Sequence, residues 1–420
     1  MKFFNKKYIY MDHAGATPID RKILREMIFC EKEFFANPSA IYSDGLKIRD
    51  VIEQAREKIA KLINAHANEI IFTGSGTESN GLAILGIITN YELQITNKKL
   101  EYVIPHIVTT TIEHPAVLEN CRWLAERGQA EVTYVDVDKH GIVKLDDLEK
   151  SLKENTVLVS VMYANNEIGT TQPIEEIAKI IRHFKKKKRE EQIYNSNNDY
   201  PFFHTDACQA MNYLFTKNIE KLGVDMLTFN SSKIYGPKGI GVLYKKRNIV
   251  IFPLYKGGGQ EFGLRSGTES VALISGLSQA LSIVEKLKEK EIKRLTKIRD
   301  YGIEKLLSLS LTSGFKIILN GHKEKRLPNN INISVLGISS ELLVLELSSR
   351  GIYISEKSAC KSNDNSKSYV IGAIRKICPK DGKEIEGSLR ISLGRSNKKS
   401  DIDLLYKELK RILEKYRQWK

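Results

Sequence analysis

The chain has 420 residues, 41% of them hydrophobic, with 66 lysines and arginines against 51 aspartates and glutamates and a formal charge of +15; that length exceeds the roughly 250–300 residues at which a single core stops growing, so two domains are expected. The basic residues are spread along the chain and many alternate with glutamate on helix-like stretches, which favours solubility and acidic small partners over nucleic acid. Five scattered cysteines (Cys30, Cys121, Cys208, Cys360, Cys378) without C-x-x-C spacing argue against a disulfide framework or a zinc site and suit a reducing, cytoplasmic compartment.

The basic opening residues are not followed by a secretory pattern, and no run reaches the roughly 18 apolar residues of a membrane span. Tyr8-Ile9-Tyr10-Met11 reads as a strand and runs into Asp12-His13-Ala14-Gly15-Ala16-Thr17-Pro18, a tight loop of small residues. Ile48, Val51, Ile52, Ala55, Ile59, Leu62 and Ile63 recur at helical spacing and predict a helix with one face on a core. Ile70-Ile71-Phe72 reads as a buried strand feeding Thr73-Gly74-Ser75-Gly76-Thr77-Glu78-Ser79-Asn80, with an apolar helix expected from Leu82. A strand, a glycine-rich turn and a helix N-terminus bring unpaired N–H groups and a helix dipole together, which is either a phosphate cradle or a plain strand-to-helix connection.

Further strands are predicted at 107–112, 132–137, 157–163, 202–205 and 226–229, with helical patterns between several of them. This alternation is the signature of a mostly parallel sheet covered by helices, with ligands bound outside the carboxyl ends of its strands. Glu113-His114-Pro115, Asn165-Asn166-Glu167-Ile168-Gly169, Asp206-Ala207-Cys208-Gln209 and Lys233 follow four of these strands. Any one of these groups is equally a cap or a satisfied core polar residue; four at equivalent positions point to a site.

Residues 90–105 and 185–199 look like insertions, the second a run of lysines and arginine followed by a polar stretch, read as a solvated helix end and surface loop or else a basic docking patch. In Asn230-Ser231-Ser232-Lys233-Ile234-Tyr235-Gly236-Pro237-Lys238-Gly239, polar residues emerge at a strand end before a Gly-Pro turn and set one lysine at a cleft edge. A lysine amine is nucleophilic only when neutral; burial or nearby cations then favour a Schiff base with a carbonyl cofactor, and pyridoxal phosphate is the candidate. In so lysine-rich a chain the alternative is a solvated charge. After Gly257-Gly258-Gly259-Gln260-Glu261 and Arg265-Ser266-Gly267-Thr268-Glu269, a helical pattern over 270–290 marks the crossing into the second domain, with strands at 317–319, 331–335, 352–355 and 389–393 and a closing helix. Cys360 stands in a mostly polar stretch flanked by Lys357 and Lys361, an electropositive setting that raises the thiolate fraction, against the buried structural role usual for cysteine.

Together, the stretches 12–18, 73–80, 113–115, 165–169, 204–209, 233–241, 265–268, 327–334, 358–360 and 388–395 closely resemble the bacterial and mitochondrial cysteine desulfurases, which belong to the class V aminotransferase-like family of pyridoxal-phosphate enzymes. The length of the loop after Cys360 is similar to the group that carries its cysteine on a long mobile loop. The resemblance implies an α/β, aspartate aminotransferase-like PLP-dependent transferase fold. Its large domain, over 15–262, holds a mostly parallel seven-stranded-type sheet, and a smaller α/β domain of residues 1–14 and 263–420 bears the cysteine loop.

The resemblance further implies that Lys233 forms the Schiff base with pyridoxal 5'-phosphate, that His114 stacks on its ring, and that Asp206 pairs with the ring nitrogen. Asn166 and Gln209 then hold the substrate and the cofactor's phenolic oxygen, while Gly76, Thr77, Asn230, Ser231 and Ser232 cradle the phosphate. Thr268 reaches the partner's phosphate in a homodimer, Arg390 clamps the substrate carboxylate as a planar bidentate donor, and Cys360 takes the sulfur. The implied reaction turns L-cysteine into L-alanine and a Cys360 persulfide, whose sulfur passes to an acceptor protein for iron–sulfur assembly, tRNA thiolation or DNA sulfur modification. Departures from the family pattern are Ser232 for its usual His, Asn230 for Ser, Phe262 for Arg, Lys357 for Gly, and His13 and Gly15 in the first loop. The alternatives are a selenocysteine lyase or kynureninase-like reaction on the same scaffold, or an inactive scaffold subunit of a sulfur-transfer complex.

Overall fold

Strand and helix alternate along almost the whole chain in the computed structural model, which describes residues 8–98, 103–190, 199–214, 218–356, 368–375 and 388–417. The short strand β1 (Ile9–Tyr10) is followed by α1 (Arg21–Glu33) and α2 (Ser43–Ile63). Then come β2 (Ile70–Thr73), α3 (Gly76–Lys98), β3 (His106–Thr110), α4 (Pro115–Glu126), β4 (Glu131–Val135), α5 (Leu145–Ser151) and β5 (Thr156–Ser160). The series continues through α6 (Ile174–Glu190), β6 (Phe202–Asp206), α7 (Ile219–Leu222), β7 (Met226–Asn230) and β8 (Gly241–Lys245). The long helix α8 (Val271–Thr312) leads to β9 (Ile317–Leu319), β10 (Asn330–Val335), α9 (Ser340–Ser349), β11 (Ile352–Tyr353), α10 (Tyr369–Arg375), β12 (Leu389–Ser392) and α11 (Lys399–Arg417).

The main sheet has seven strands in the order β2-β8-β7-β6-β5-β3-β4. From β7 to β4 every pairing is parallel, and only β8 runs antiparallel to its neighbours. β3, β5 and β6 are buried along their whole length, as expected of parallel strands covered on both faces. The expected mostly parallel sheet is therefore present. A second sheet, β12-β10-β9, is antiparallel, and β1 pairs in parallel with β11, Ile9 facing Ile352.

Several elements differ from expectation for local reasons. α3 begins at Gly76, not Leu82, because the Ser75 hydroxyl accepts the Glu78 N–H at 3.1 Å and the Glu78 carboxylate accepts the Gly74 N–H at 2.7 Å, capping the helix earlier. It also continues into the stretch read as an insertion, since Tyr91 and Ile95 keep its buried face apolar. The 185–189 run ends α6 and is partly structural. Lys188 is buried, donates to the Glu154 carbonyl at 2.6 Å and is pushed down to about 8 by burial. Lys185 and Arg189 pair with Asp199, at 3.8 and 2.7 Å. The polar stretch 191–198 lies outside the described residues. α8 runs well past residue 290 because Leu295, Ile303, Leu306 and Leu309 extend its buried stripe, and β8 is a strand the alternation does not single out. Cys30, Cys121 and Cys208 are unpaired, and among the described residues no helix is long and apolar enough to cross a membrane.

One buried ion pair fixes the turn leading to α8. The Arg56 guanidinium makes two 2.7 Å bonds to the Glu261 carboxylate, which also accepts the Phe72 N–H at 2.7 Å. Glu261 and Phe262 both hold left-handed backbone, at φ +49° and +59°, which non-glycine residues adopt only under external constraint. Glu261→Ala leaves a buried guanidinium without its main counter-charge, and unfolding free energy in urea is expected to fall by about 3 kcal/mol; a loss under about 1 kcal/mol contradicts a structural role for the pair.

Candidate active site

The polar residues that follow β3, β5, β6 and β7 converge on one cavity of about 160 Å3. Its wall includes Gly76, Thr77, His114, Asn166, Asp206, Gln209, Asn230, Lys233 and Arg390, together with Ala14, Gly15, Ser75, Asn80, Met162, Ala164 and Cys208. Three expected site residues stand off this wall. Ser231 is buried, the Ser232 hydroxyl donates to Asn230 Oδ1 at 3.3 Å, and Thr268 is exposed. Cys360 lies outside the described residues.

Each side chain is held by a partner on another element. Asp206, at the end of β6, accepts the Asn80 amide at 2.7 Å and the Cys208 N–H at 2.9 Å. These bonds fix both carboxylate oxygens at the cavity floor. Lys233 Nζ donates to the Gly15 carbonyl. That carbonyl is brought in by the 12–17 loop, whose Thr17 hydroxyl donates to the Ser232 carbonyl at 2.9 Å and accepts the Tyr235 N–H at 2.8 Å. Gln209 donates to the Ala14 carbonyl at 3.0 Å. His114 caps α4, its Nδ1 accepting the Ala116 N–H at 3.1 Å, so the proton of a neutral ring sits on Nε2.

Arg390, on β12, is 1% exposed; Nη2 donates to Asp12 at 2.8 Å and Nη1 to the Asn166 carbonyl at 3.3 Å. Three buried polar atoms of the cavity residues have no protein partner: Asn80 Oδ1, Asn166 Oδ1 and Arg390 Nε. Buried polar groups seldom go unmatched, so a donor and two acceptors left open around one cavity suit a ligand carrying both kinds of group. The cavity also fits an anion. A side chain at Gly76 would lie 2.8 Å from Cys208 Sγ and 3.1 Å from Asn230 Nδ2, so glycine is needed at this first residue of α3, where the N-terminal end of a helix favours an anion such as a phosphate. The residues present therefore fit a phosphorylated, aromatic, carbonyl-bearing cofactor such as pyridoxal phosphate, with Lys233 as its anchor.

Sequence reasoning passed over Asn80 as the support of Asp206 and Asp12 as the counter-charge of Arg390, and it named Glu113 within a strand-end group without giving it a role of its own. The Glu113 carboxyl is fully buried beside His114, with one oxygen accepting the Thr110 hydroxyl at 2.7 Å and the Met162 N–H at 2.9 Å and the other oxygen unpartnered. Burial, first, pushes it up to about 8, so the folded protein keeps a proton that the unfolded chain sheds above its ordinary value of about 4.3. Stability is therefore lost as pH rises from about 4.3 through about 8. Glu113→Gln removes the titration and keeps the shape. Its thermal midpoint is expected to fall less than that of the unmodified protein between about pH 5 and 8, and equal slopes would mean that Glu113 does not hold this proton.

The description Aminotransferase class-V matches residues 9–405. A cysteine desulfurase IscS from Dictyoglomus turgidum is 41% identical over 415 residues, covering 98% of this chain and 96% of that protein. Among solved structures, a NifS-like protein superposes with a TM-score of 0.81 at 34% identity, over 97% of this chain and 99% of that one. SspA in complex with cysteine superposes with a TM-score of 0.72 at 31% identity, over 91% and 98%. With its sheet order, its lysine-bearing turn and its full-length likeness to these proteins, the chain belongs to the class-V aminotransferase family, among the cysteine desulfurases.

Proposed function

We propose that this protein converts L-cysteine to L-alanine with pyridoxal 5'-phosphate in the described cavity, and that Cys360 takes the sulfur. The observation that carries this reading is the convergence of Lys233, Asp206, His114 and Arg390 on one cavity whose wall leaves buried polar atoms open. When bound, the cofactor supplies an electron sink that weakens bonds at the substrate's Cα and Cβ. Asp206, fixed by Asn80, is the carboxylate to pair with a protonated ring nitrogen, and Gly76, Thr77 and Asn230 are the phosphate side of the cavity. Lys233 is the anchor and a base at the substrate's Cα; His114 Nε2, which follows β3 at the same carboxyl edge of the sheet, is a second proton carrier.

Arg390 is the carboxylate clamp. Asp12 takes one amino group of its guanidinium, while Nε has no protein partner. The partnering of cysteine with SspA supports the substrate class. In the sulfur step the Cys360 thiolate attacks the substrate sulfur, the carbon–sulfur bond breaks toward carbon, and a proton completes alanine, so cysteine plus thiol gives alanine plus persulfide with atoms and electrons in balance. Chain geometry supports Cys360. Ser355 and Arg390 exchange backbone hydrogen bonds at 2.7 and 3.1 Å, and only five residues of chain, at most about 18 Å, separate Ser355 from Cys360. An acceptor protein, such as an iron–sulfur scaffold or a thiolation protein, then receives the sulfur.

A homodimer belongs to the same reading. α1 carries exposed Leu24, Ile28 and Phe29 and packs against the first turns of α8, directly after exposed Thr268, with Met27 against Gly276. A shared apolar face beside Thr268 suits a second copy that receives this threonine at its phosphate site.

Lys233→Ala is expected to lose the visible absorbance of the bound cofactor; an unchanged spectrum rules Lys233 out as the anchor. Cys360→Ser is expected to retain cofactor and bind cysteine while alanine formation drops by about 100-fold or more, because a serine hydroxyl is un-ionised at neutral pH and forms no persulfide. Intact-mass analysis after brief exposure to cysteine should show one added sulfur that digestion maps to Cys360. Undiminished alanine release from Cys360→Ser would favour a lyase that needs the same cavity but no acceptor thiol.

A further inference from the structure

Arg390 comes to the cavity with a carboxylate already on it. Its Nη2 donates to Asp12 Oδ1 at 2.8 Å, and among the described residues Asp12 is its one ion-pair partner. Nη1 goes to the Asn166 carbonyl at 3.3 Å, while Nε and Asn166 Oδ1 are buried with no protein partner. Asp12 is set in place through its own main chain. Its carbonyl accepts the Gly15 N–H at 3.1 Å, the Ala16 N–H at 3.3 Å and the Tyr10 hydroxyl at 3.0 Å, and the residue bridges to Ser392. None of these contacts uses the Asp12 side chain, so that side chain can be changed while the loop stays. The room for it is made by Gly15, one of the departures from the family pattern: a side chain there would lie 2.5 Å from Asp12 Oδ2.

We propose that Asp12 is a specificity-determining residue, a resident carboxylate that shares Arg390 with the substrate, so that the clamp takes an amino acid with a single carboxylate and disfavours one with a second acidic group. The proposal rests on the reading of Arg390 as the substrate's carboxylate clamp. A buried guanidinium with no counter-charge attracts any anion, and attracts it more strongly the more negative charge it carries. With Asp12 on Nη2, the pair is close to neutral. An incoming carboxylate still gains a charge-assisted hydrogen bond from the open Nε, but it does so beside a like charge. A neutral amino acid meets that cost once, and its ammonium group offsets it. A second acidic group adds a charge for which Arg390 has no share left, and the buried setting screens the repulsion poorly. Like charge set against a competitor is a means of specificity distinct from better contacts to the preferred ligand.

The test titrates L-alanine, with one carboxylate, and L-aspartate, with two, into the cofactor-loaded full chain, followed by calorimetry and by the cofactor's absorbance. Asp12→Asn removes the charge and keeps an oxygen for Nη2, whereas Asp12→Ala removes both. In both variants the preference for alanine over aspartate, read as the ratio of their Kd values, is expected to shrink by about tenfold, with alanine bound at least as tightly as by the unmodified protein and the ligand-free cofactor spectrum intact. A ratio unchanged in Asp12→Asn, with undetectable aspartate binding in both proteins counted as unchanged, overturns the proposal alone. So does a ratio that shifts in Asp12→Ala only, or weaker alanine binding by Asp12→Asn, because either makes Asp12 a mere support for the arginine. Arg390→Lys tests the reading beneath: a lysine lacks the planar fork, and alanine affinity is expected to fall by about tenfold or more. Alanine bound by Arg390→Lys as tightly as by the unmodified protein removes Arg390 as the clamp and takes this proposal with it.

Discussion

The site depends on the pairing of the first strand with a strand near the far end of the chain. β1 lies beside β11, and just beyond it Asp12 bridges to Ser392 at the end of β12. That register carries the 12–17 loop across the molecule, so that its Gly15 carbonyl meets Lys233 while Asp12 meets Arg390. The two cations of the cavity, one from the turn after β7 and one from β12, are thus held by one short loop. Removing Lys233 or Arg390 leaves the loop in place, but any change that lets β1 slip disturbs both at once. With side-chain direction alternating along a strand, a slip of one residue turns Asp12 away from Arg390.

Dry surroundings give these contacts their strength. Asp206, Glu113, Asn166 and Arg390 are all nearly or wholly buried, and in such a setting each unmatched polar atom is costly while each matched one is strongly directional. The protein meets this cost with polar groups on neighbouring elements: the Asn80 amide for Asp206, the Thr110 hydroxyl and Met162 N–H for Glu113, the Asn166 carbonyl and Asp12 carboxylate for Arg390. The atoms left over at Asn80, Asn166 and Arg390 belong to residues of the cavity wall, where a ligand's groups complete the set.

Much of this was legible in the residues. The alternation of apolar runs with helical patterns fixed the sheet, and the polar residues after four strands do meet, because parallel strands present all their carboxyl ends at one edge. Asp206 and Lys233 needed no more than that rule. Arg390 required the resemblance, since nothing in its own strand says which of many arginines crosses to the cavity. Asn80 was in view within the glycine-rich stretch, but its bond to Asp206 spans the sheet and leaves no local trace. The burial of Lys188 within the 185–189 run was illegible for the opposite reason: lysines in a row look solvated, and Lys188 is buried where the Glu154 carbonyl, contributed by a distant turn, faces it. α3 started earlier than the apolar pattern suggested because its cap is built from Ser75 and Glu78, polar residues that a search for hydrophobic periodicity skips.

The antiparallel β8 has a consequence for assembly order. Because it reverses direction beside β7, the turn bearing Lys233 joins adjacent strands, and the Asn230–Gly241 pairing closes over only the residues between them. Gly241 in turn lies against the Ser75 backbone, with no room for a side chain. The lysine turn therefore closes as a short-range hairpin, and the glycine-rich turn is docked on it by the long-range β2–β8 pairing. The placement of Arg390, by contrast, waits on contacts that close nearly the whole chain, whose loop entropy is paid late. By loop-closure entropy, the turn that bears Lys233 therefore takes shape through local pairing, before the chain-spanning contacts that bring Arg390 to the same cavity.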